Sequence, residues 1–264
     1  MKQRIITGVI AGSLFILFVV YGGWPFALLT MLLAAIGMYE LLKMKGISIA
    51  SVPGLLAMLA TLILVLPKDW ALQVEDAISY NKLELLFITA ILLLVYSVVV
   101  KNKFTYDDVA FIIMSTMYVG IGFYYLYETR EASIAYIILA LVIVWVTDSG
   151  AYFTGRKIGK RKLWPEISPN KTIEGFVGGI VLAVIGAVIM QLIAPFDVSW
   201  LMLLFVVVVS SIFGQMGDLV ESAIKRHYDV KDSGSLLPGH GGILDRFDSL
   251  LFVLPLLNLL HFVS

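Results

Sequence analysis

Nine apolar runs, most of them close to the length of a membrane crossing, succeed one another through this 264-residue chain, and no other feature limits its fold so severely. A helix needs about 20 mostly apolar residues to cross a hydrocarbon core. The runs are Ile5–Gly22, Trp24–Lys43, Val52–Leu66, Leu83–Val100, Val109–Tyr127, Ser133–Phe153, Ile173–Ala194, Val198–Met216 and Leu244–Phe262. They predict an all-α, polytopic membrane bundle of about nine helices. The third run is short, and the eighth continues as helix beyond the hydrocarbon, through Asp218 to Arg226. Composition agrees: 60% of residues are hydrophobic and 14% charged, against about 45–50% and about 25% in soluble domains.

The distribution of basic residues orients the bundle. With the N-terminus cytoplasmic, nine spans leave sixteen of the nineteen Lys and Arg inside and only Lys68, Lys82 and Arg130 outside. That split is the positive-inside pattern and places the C-terminus outside. The opening MKQR followed by an apolar run resembles a secretory leader, but the run approaches a full span and a second follows at once, so a retained first helix is expected. The outside segment Pro67–Lys82 reads as an interfacial turn or short amphipathic helix. With no cysteine, the chain has no disulfides, Cys-ligated metals or thiol nucleophile. A net charge of zero points away from a nucleic-acid partner.

Polar chemistry is concentrated in the second half. Residues 1–130 read as a scaffold able to carry dimer contacts, and residues 131–264 as a catalytic region with cytoplasmic loops at 154–172 and 226–243. The absence of a convincing internal repeat weakens a transporter built from inverted halves. Charged groups at a membrane edge are costly enough to need a reason. The densest set lies in SAIKRHYDVKDSGSLLPGHGGILDRFD, residues 222–248.

Asp218, Glu221, Ser222 and Lys225 share one helical face where the eighth run leaves the membrane. This stripe is either a solvated helix end or the wall of an aqueous site with Asp218 as a metal ligand. Asp245 and Asp248 open the ninth run as i, i+3 neighbours, suited to capping a helix N-terminus or to holding Mg²⁺ with substrate phosphate. Between these elements, Gly239, Gly241 and Gly242 allow positive φ and close backbone approach, and their N–H groups can form an anion nest. His240 is expected to orient the loop rather than transfer protons. Upstream, Asp148 is either a site residue or a polar group satisfied within the bundle. Arg156, Lys157, Lys160, Arg161 and Lys162 read as ordinary positive-inside topology that also suits an anionic headgroup or nucleotide. In ISPNKTIEG, Asn170 or Thr172 can cap the seventh helix, Glu174 lies in its first turn, and Lys171 stands beside an anion-binding helix end. Gly175, Gly178 and Gly179 permit tight helix packing. Glu40 and Lys43 read as an interfacial pair outside the site.

The pattern Ser222-x-x-Lys225-Arg226, Lys231-Asp232, Pro238-x-His240-Gly241-Gly242-x-x-Asp245-Arg246-x-Asp248 resembles the signature of the phosphatidate cytidylyltransferase family, also called CDP-diacylglycerol synthases. The SPNKTIEG segment and the polytopic length are similar to its bacterial members. The resemblance implies that CTP and phosphatidate give CDP-diacylglycerol and pyrophosphate with Mg²⁺, in a membrane-embedded cavity open to the cytoplasm, in a homodimer. It further implies a metal centre on Asp218, Asp245 and Asp248, with K⁺ beside Mg²⁺. The reading of the residues and the resemblance together give a catalytic set of Asp218, Lys225, Arg226, Asp245 and Asp248. The substrate-binding set is Asp148, Ser168, Lys171, Thr172, Glu174, Ser222, Lys231, His240, Gly241, Gly242 and Arg246. Two rival classes stay open on the residues alone: a CTP-dependent lipid or polyprenol kinase, and an ion or solute transporter using the acidic helix ends.

Overall fold

The structure, a computed structural model, describes residues 2–236, 239 and 241–263, with side chains from residue 6 onward. The chain forms two compact units, Met1–Glu128 with Asp232–Leu244, and Thr129–Lys231 with Asp245–Ser264. His240 lies outside the described residues.

Every predicted apolar run is helical, and the all-α membrane architecture holds. The first unit contains α1 (Lys2–Tyr21), α2 (Gly23–Lys45), α3 (Val52–Val65), α4 (Lys68–Ile78), α5 (Lys82–Val99) and most of α6 (Tyr106–Ala132). The second contains α7 (Ile134–Ile158), strands β1 (Lys162–Trp164) and β2 (Ser168–Thr172), α8 (Ile173–Ile193) and α9 (Trp200–His227). After the short α10 (Leu244–Phe247) it closes with α11 (Leu250–Leu259). Among the described residues, six helices are long and apolar enough to cross a membrane: α2, α5, α6, α7, α8 and α9. A seventh is gained if α3 and α4 count as one span, but they meet at a bend of 119°.

That bend has a local cause. Pro67 separates the two helices, and Lys82 reaches back from the start of α5. Its ammonium donates to the Leu64 and Leu66 carbonyls, at 2.9 and 2.5 Å, and lies 4.0 Å from the centre of the Tyr124 ring. A cation on the last carbonyls of α3 satisfies groups that a helix end leaves open. The core beside it gathers Met38, Leu42, Ala57, Leu93, Val109 and Ile112. The ninth run is interrupted too. Asp248 Oδ1 accepts from the Ser249 N–H at 2.6 Å, a local bond that competes with the helical ladder.

In the second unit α7 and α8 approach with almost no side chain between them. A Cβ at Gly179 would lie 2.8 Å from the Thr147 carbonyl, and one at Gly175 2.7 Å from that of Ala151. At Gly178 it would strike the Cβ and both γ atoms of Thr154, which no rotamer change relieves. Small residues let membrane helices touch backbone to backbone. Gly178→Ala is therefore expected to destabilise the unit by about 1–3 kcal/mol, read as a lower thermal midpoint of the purified protein in detergent. Gly217 does the same for α9, since a Cβ there would lie 2.7 Å from the Asp248 carbonyl. The loop 154–172 is more ordered than a loop reading suggests. α7 runs on to Ile158, and β1 and β2 pair antiparallel, with Lys162 opposite Thr172 and Trp164 opposite Ser168.

Candidate active site

Helices and strands of the second unit line a cavity of about 440 Å³. Asp148, Tyr152 and Arg156 line it from α7, Asn170, Lys171 and Thr172 from β2 and the entry to α8, and Gln215 and Asp218 from α9. Thr172 is the residue that caps α8, its Oγ1 accepting from the Gly175 N–H at 3.1 Å. This cap turns the chain sharply after Lys171 and aims that side chain at α9, where its ammonium meets Asp218 Oδ2 at 2.6 Å. Asp218 also accepts from the Ser222 hydroxyl, one helical turn on, at 3.3 Å.

A second ion cluster lies along α9. Lys225 Nζ sits between Glu221 Oε2 at 2.5 Å and Asp245 Oδ1 at 2.6 Å, with side chains 13%, 2% and 6% exposed respectively. The clusters form one electrostatic network. Asp248 interacts with Asp218, Asp148 and Lys225, Asp148 with Asp218 and Lys171, and Glu221 with Asp245 and Asp248. Five carboxyl groups thus face two ammonium groups. Uncompensated charge withdrawn from water is expensive, and a network with surplus carboxylate is a natural host for a cation. Among the described residues, no three His, Asp or Glu side chains are gathered into a ready metal cage. Lysines hold Asp218 and Asp245 instead. The donor chemistry nevertheless fits Mg²⁺, which takes one or two carboxylates and fills its remaining positions with water and phosphate.

Other sequence-derived candidates lie elsewhere. Glu174 turns toward the basic loop, where its carboxylate accepts from the Lys160 and Arg161 N–H groups, at 3.0 and 3.2 Å, and from Arg161 Nε at 3.4 Å. Ser168 sits in β2, opposite Trp164. Arg226, Lys231 and Arg246 are exposed. Gly241 and Gly242 belong to the first unit. Gly239 and Gly241 adopt positive φ, 78° and 81°, whereas Gly242 is needed for close approach.

What Gly242 approaches is Glu40, and the interfacial reading of Glu40 is wrong. Its side chain is buried, and its carboxylate accepts from the Ser233 hydroxyl at 2.9 Å, the Ile243 N–H at 2.8 Å and the Leu244 N–H at 3.0 Å. The only trace of this in sequence is an acid inside an apolar run, GMYELLK, where burial without partners is prohibitive. Gln215 carries no comparable signal in the sequence. Gln215 Nε2 donates to the Phe176 carbonyl at 3.2 Å and so braces α9 against α8 beside the cavity.

The Cytidylyltransferase family model matches residues 2–264. The phosphatidate cytidylyltransferase of Bacillus subtilis is 51% identical over 263 residues, covering 98% of this chain and 97% of that protein. The phosphatidate cytidylyltransferase of Staphylococcus saprophyticus is 50% identical over 260 residues, covering 98% of each. That of Staphylococcus aureus strain COL is 47% identical over the same length.

Proposed function

The chain belongs to the Cytidylyltransferase family, and on that premise we propose that it is a Mg²⁺-dependent phosphatidate cytidylyltransferase that joins CTP to phosphatidate, releasing pyrophosphate and leaving CDP-diacylglycerol in the bilayer. The observation that carries this reading is the Lys171–Asp218 pair on the wall of a cavity lined by helices of membrane length. A headgroup can enter such a cavity while its acyl chains stay in lipid. The names of the relatives supply the substrate pair.

A phosphate monoester is already an anionic nucleophile near neutral pH. The lipid phosphate oxygen attacks the α-phosphorus of CTP in line, the new P–O bond forms, and the bond to the β-phosphate bridge breaks as pyrophosphate leaves. The protein's task is to align two polyanions and offset their repulsion. Lys171 exchanges its partner Asp218 for a substrate phosphate. Lys225 holds Asp245 in place, and Arg226, Lys231 and Arg246 supply further positive charge. Asp218, Asp245 and Asp248 would hold Mg²⁺, which supplies charge neutralisation at the triphosphate. The site faces the cytoplasm, where the positive-inside distribution puts these loops, and the protein functions as a homodimer.

The test is direct. Purified protein given labelled CTP and phosphatidate should yield cytidylylated lipid and pyrophosphate only when Mg²⁺ is present. CDP and a newly phosphorylated lipid would overturn the reading in favour of a kinase. Lys171→Ala is expected to raise KM for at least one substrate about tenfold, the loss of one charge-assisted phosphate contact, with a smaller change in kcat. Unchanged KM for both CTP and phosphatidate would remove Lys171 from substrate binding.

A further inference from the structure

We propose that Glu40 is a positioning residue for the transfer reaction: its carboxylate fastens the loop Ser233–Leu244 and so fixes the main chain from which Asp245 and Asp248 project. The inference rests on the reading of those two aspartates given above. Glu40 stands on α2 in a helix that is otherwise almost entirely apolar, and its side chain is only 2% exposed. An ionised carboxylate in such surroundings persists only when its oxygens are satisfied. They are met from both ends of the loop: the Ser233 hydroxyl at its start, and the Ile243 and Leu244 N–H groups at its finish. Bonds from N–H and O–H groups to a carboxylate are the strong, short kind. One side chain thereby closes the loop like a clasp.

The loop's own sequence fits the clasp independently. A Cβ on Gly234 would run into the Glu40 carboxyl group, and one on Gly242 into both that group and the Ser233 hydroxyl that donates to it. These two positions are glycine because the carboxylate lies against the backbone there, a different requirement from the positive φ of Gly239 and Gly241. Leu244 is the first residue of α10, and Asp245 is the next in the chain. The bonds to Glu40 from Ile243 and Leu244 therefore end on the peptide groups immediately ahead of Asp245. A side chain that acts one peptide unit from a functional carboxylate controls its direction without touching substrate.

Five measurements on the purified protein test this. Glu40→Gln keeps the shape but turns an amide N–H₂ toward the Ser233, Ile243 and Leu244 donors. Hydrogen exchange in peptides covering 232–244, measured without Mg²⁺ or nucleotide, is expected to accelerate in E40Q. kcat per folded protein is expected to fall about 10–100-fold, the usual effect of removing a partner that orients a metal-binding group. KM for CTP and phosphatidate should stay within about twofold, and the Mg²⁺ concentration for half-maximal rate should rise. The fifth measurement is a double variant. Gly242→Ala should impair wild type more than it impairs E40A, where the carboxylate it strikes is gone and the Ser233 hydroxyl, no longer held by that carboxylate, can turn aside. Wild-type exchange, kcat and Mg²⁺ dependence in E40Q would overturn the proposal, as would additive effects of E40A and G242A. A loss of activity that merely tracks a lower yield of folded protein would do so too. If wild-type protein does not cytidylylate phosphatidate at all, the proposed function fails, while exchange at 232–244 still decides whether the clasp exists.

Discussion

Asp248→Asn is expected to lower kcat by about two to three orders of magnitude, the scale on which removal of a preorganised charge slows transfer reactions, while the protein inserts and purifies normally. The substitution keeps the size of the side chain, and its oxygen can still accept from the Ser249 N–H, so the break between α10 and α11 survives. What disappears is one negative charge from a network in which Asp248 faces both Asp218 and Asp148. A site that needs that charge to hold Mg²⁺ loses turnover and requires more metal to recover part of it. Turnover of labelled CTP into lipid, titrated with Mg²⁺, provides the measurement. Near-wild-type kcat in purified D248N would remove Asp248 from the metal assignment.

The second large effect belongs to Lys225. Its ammonium is the common partner of Glu221 and Asp245, and all three side chains are nearly sealed from water. Lys225→Met leaves two buried carboxylates facing each other across an apolar thioether. Breaking a buried pair by deleting one partner costs about 3–5 kcal/mol. Here one cation serves two anions, so the expected result is a clear drop in thermal midpoint together with loss of activity. K225M/E221Q, which removes one of the stranded charges, should recover part of the stability but not the activity, because Asp245 still lacks the group that holds it. Equal thermal midpoints for wild type and K225M would show that the triad carries no structural load.

The elements that were legible in the sequence are those whose information is local. Periodicity makes Asp218, Ser222 and Lys225 neighbours on one face, and in the structure Ser222 bonds Asp218 while Lys225 bonds Glu221 one turn back. Apolar runs announce helices because a membrane leaves little else for them to become. β1 and β2 escaped notice because strands of 3 and 5 residues, one of them reading SPNKT, carry no usable alternation. Glu174 was rightly put in the first turn of a helix, but nothing in ISPNKTIEG says that its carboxylate collects the N–H groups of Lys160 and Arg161. Glu40 is the extreme instance: its partners lie 193, 203 and 204 residues away. No pattern read in windows of a helix or a hairpin can join such positions. The break of the ninth run at Asp248 depends on one side chain competing for one N–H, a contest that hydropathy does not register.

The same separation dictates an order of events during synthesis. Glu40 leaves the ribosome early, within the second apolar run, whereas its donors emerge only near the end of translation. Until then the first unit, which includes Asp232–Leu244, cannot reach its final state. Over that interval the Glu40 carboxylate lacks the donors that Ser233, Ile243 and Leu244 bring to it. Completion of the N-terminal helices is thus coupled to arrival of the C-terminal signature, so a chain truncated before Ser233 is left with an open acid in its bundle. The first unit and the loop that leads into Asp245 are therefore completed together.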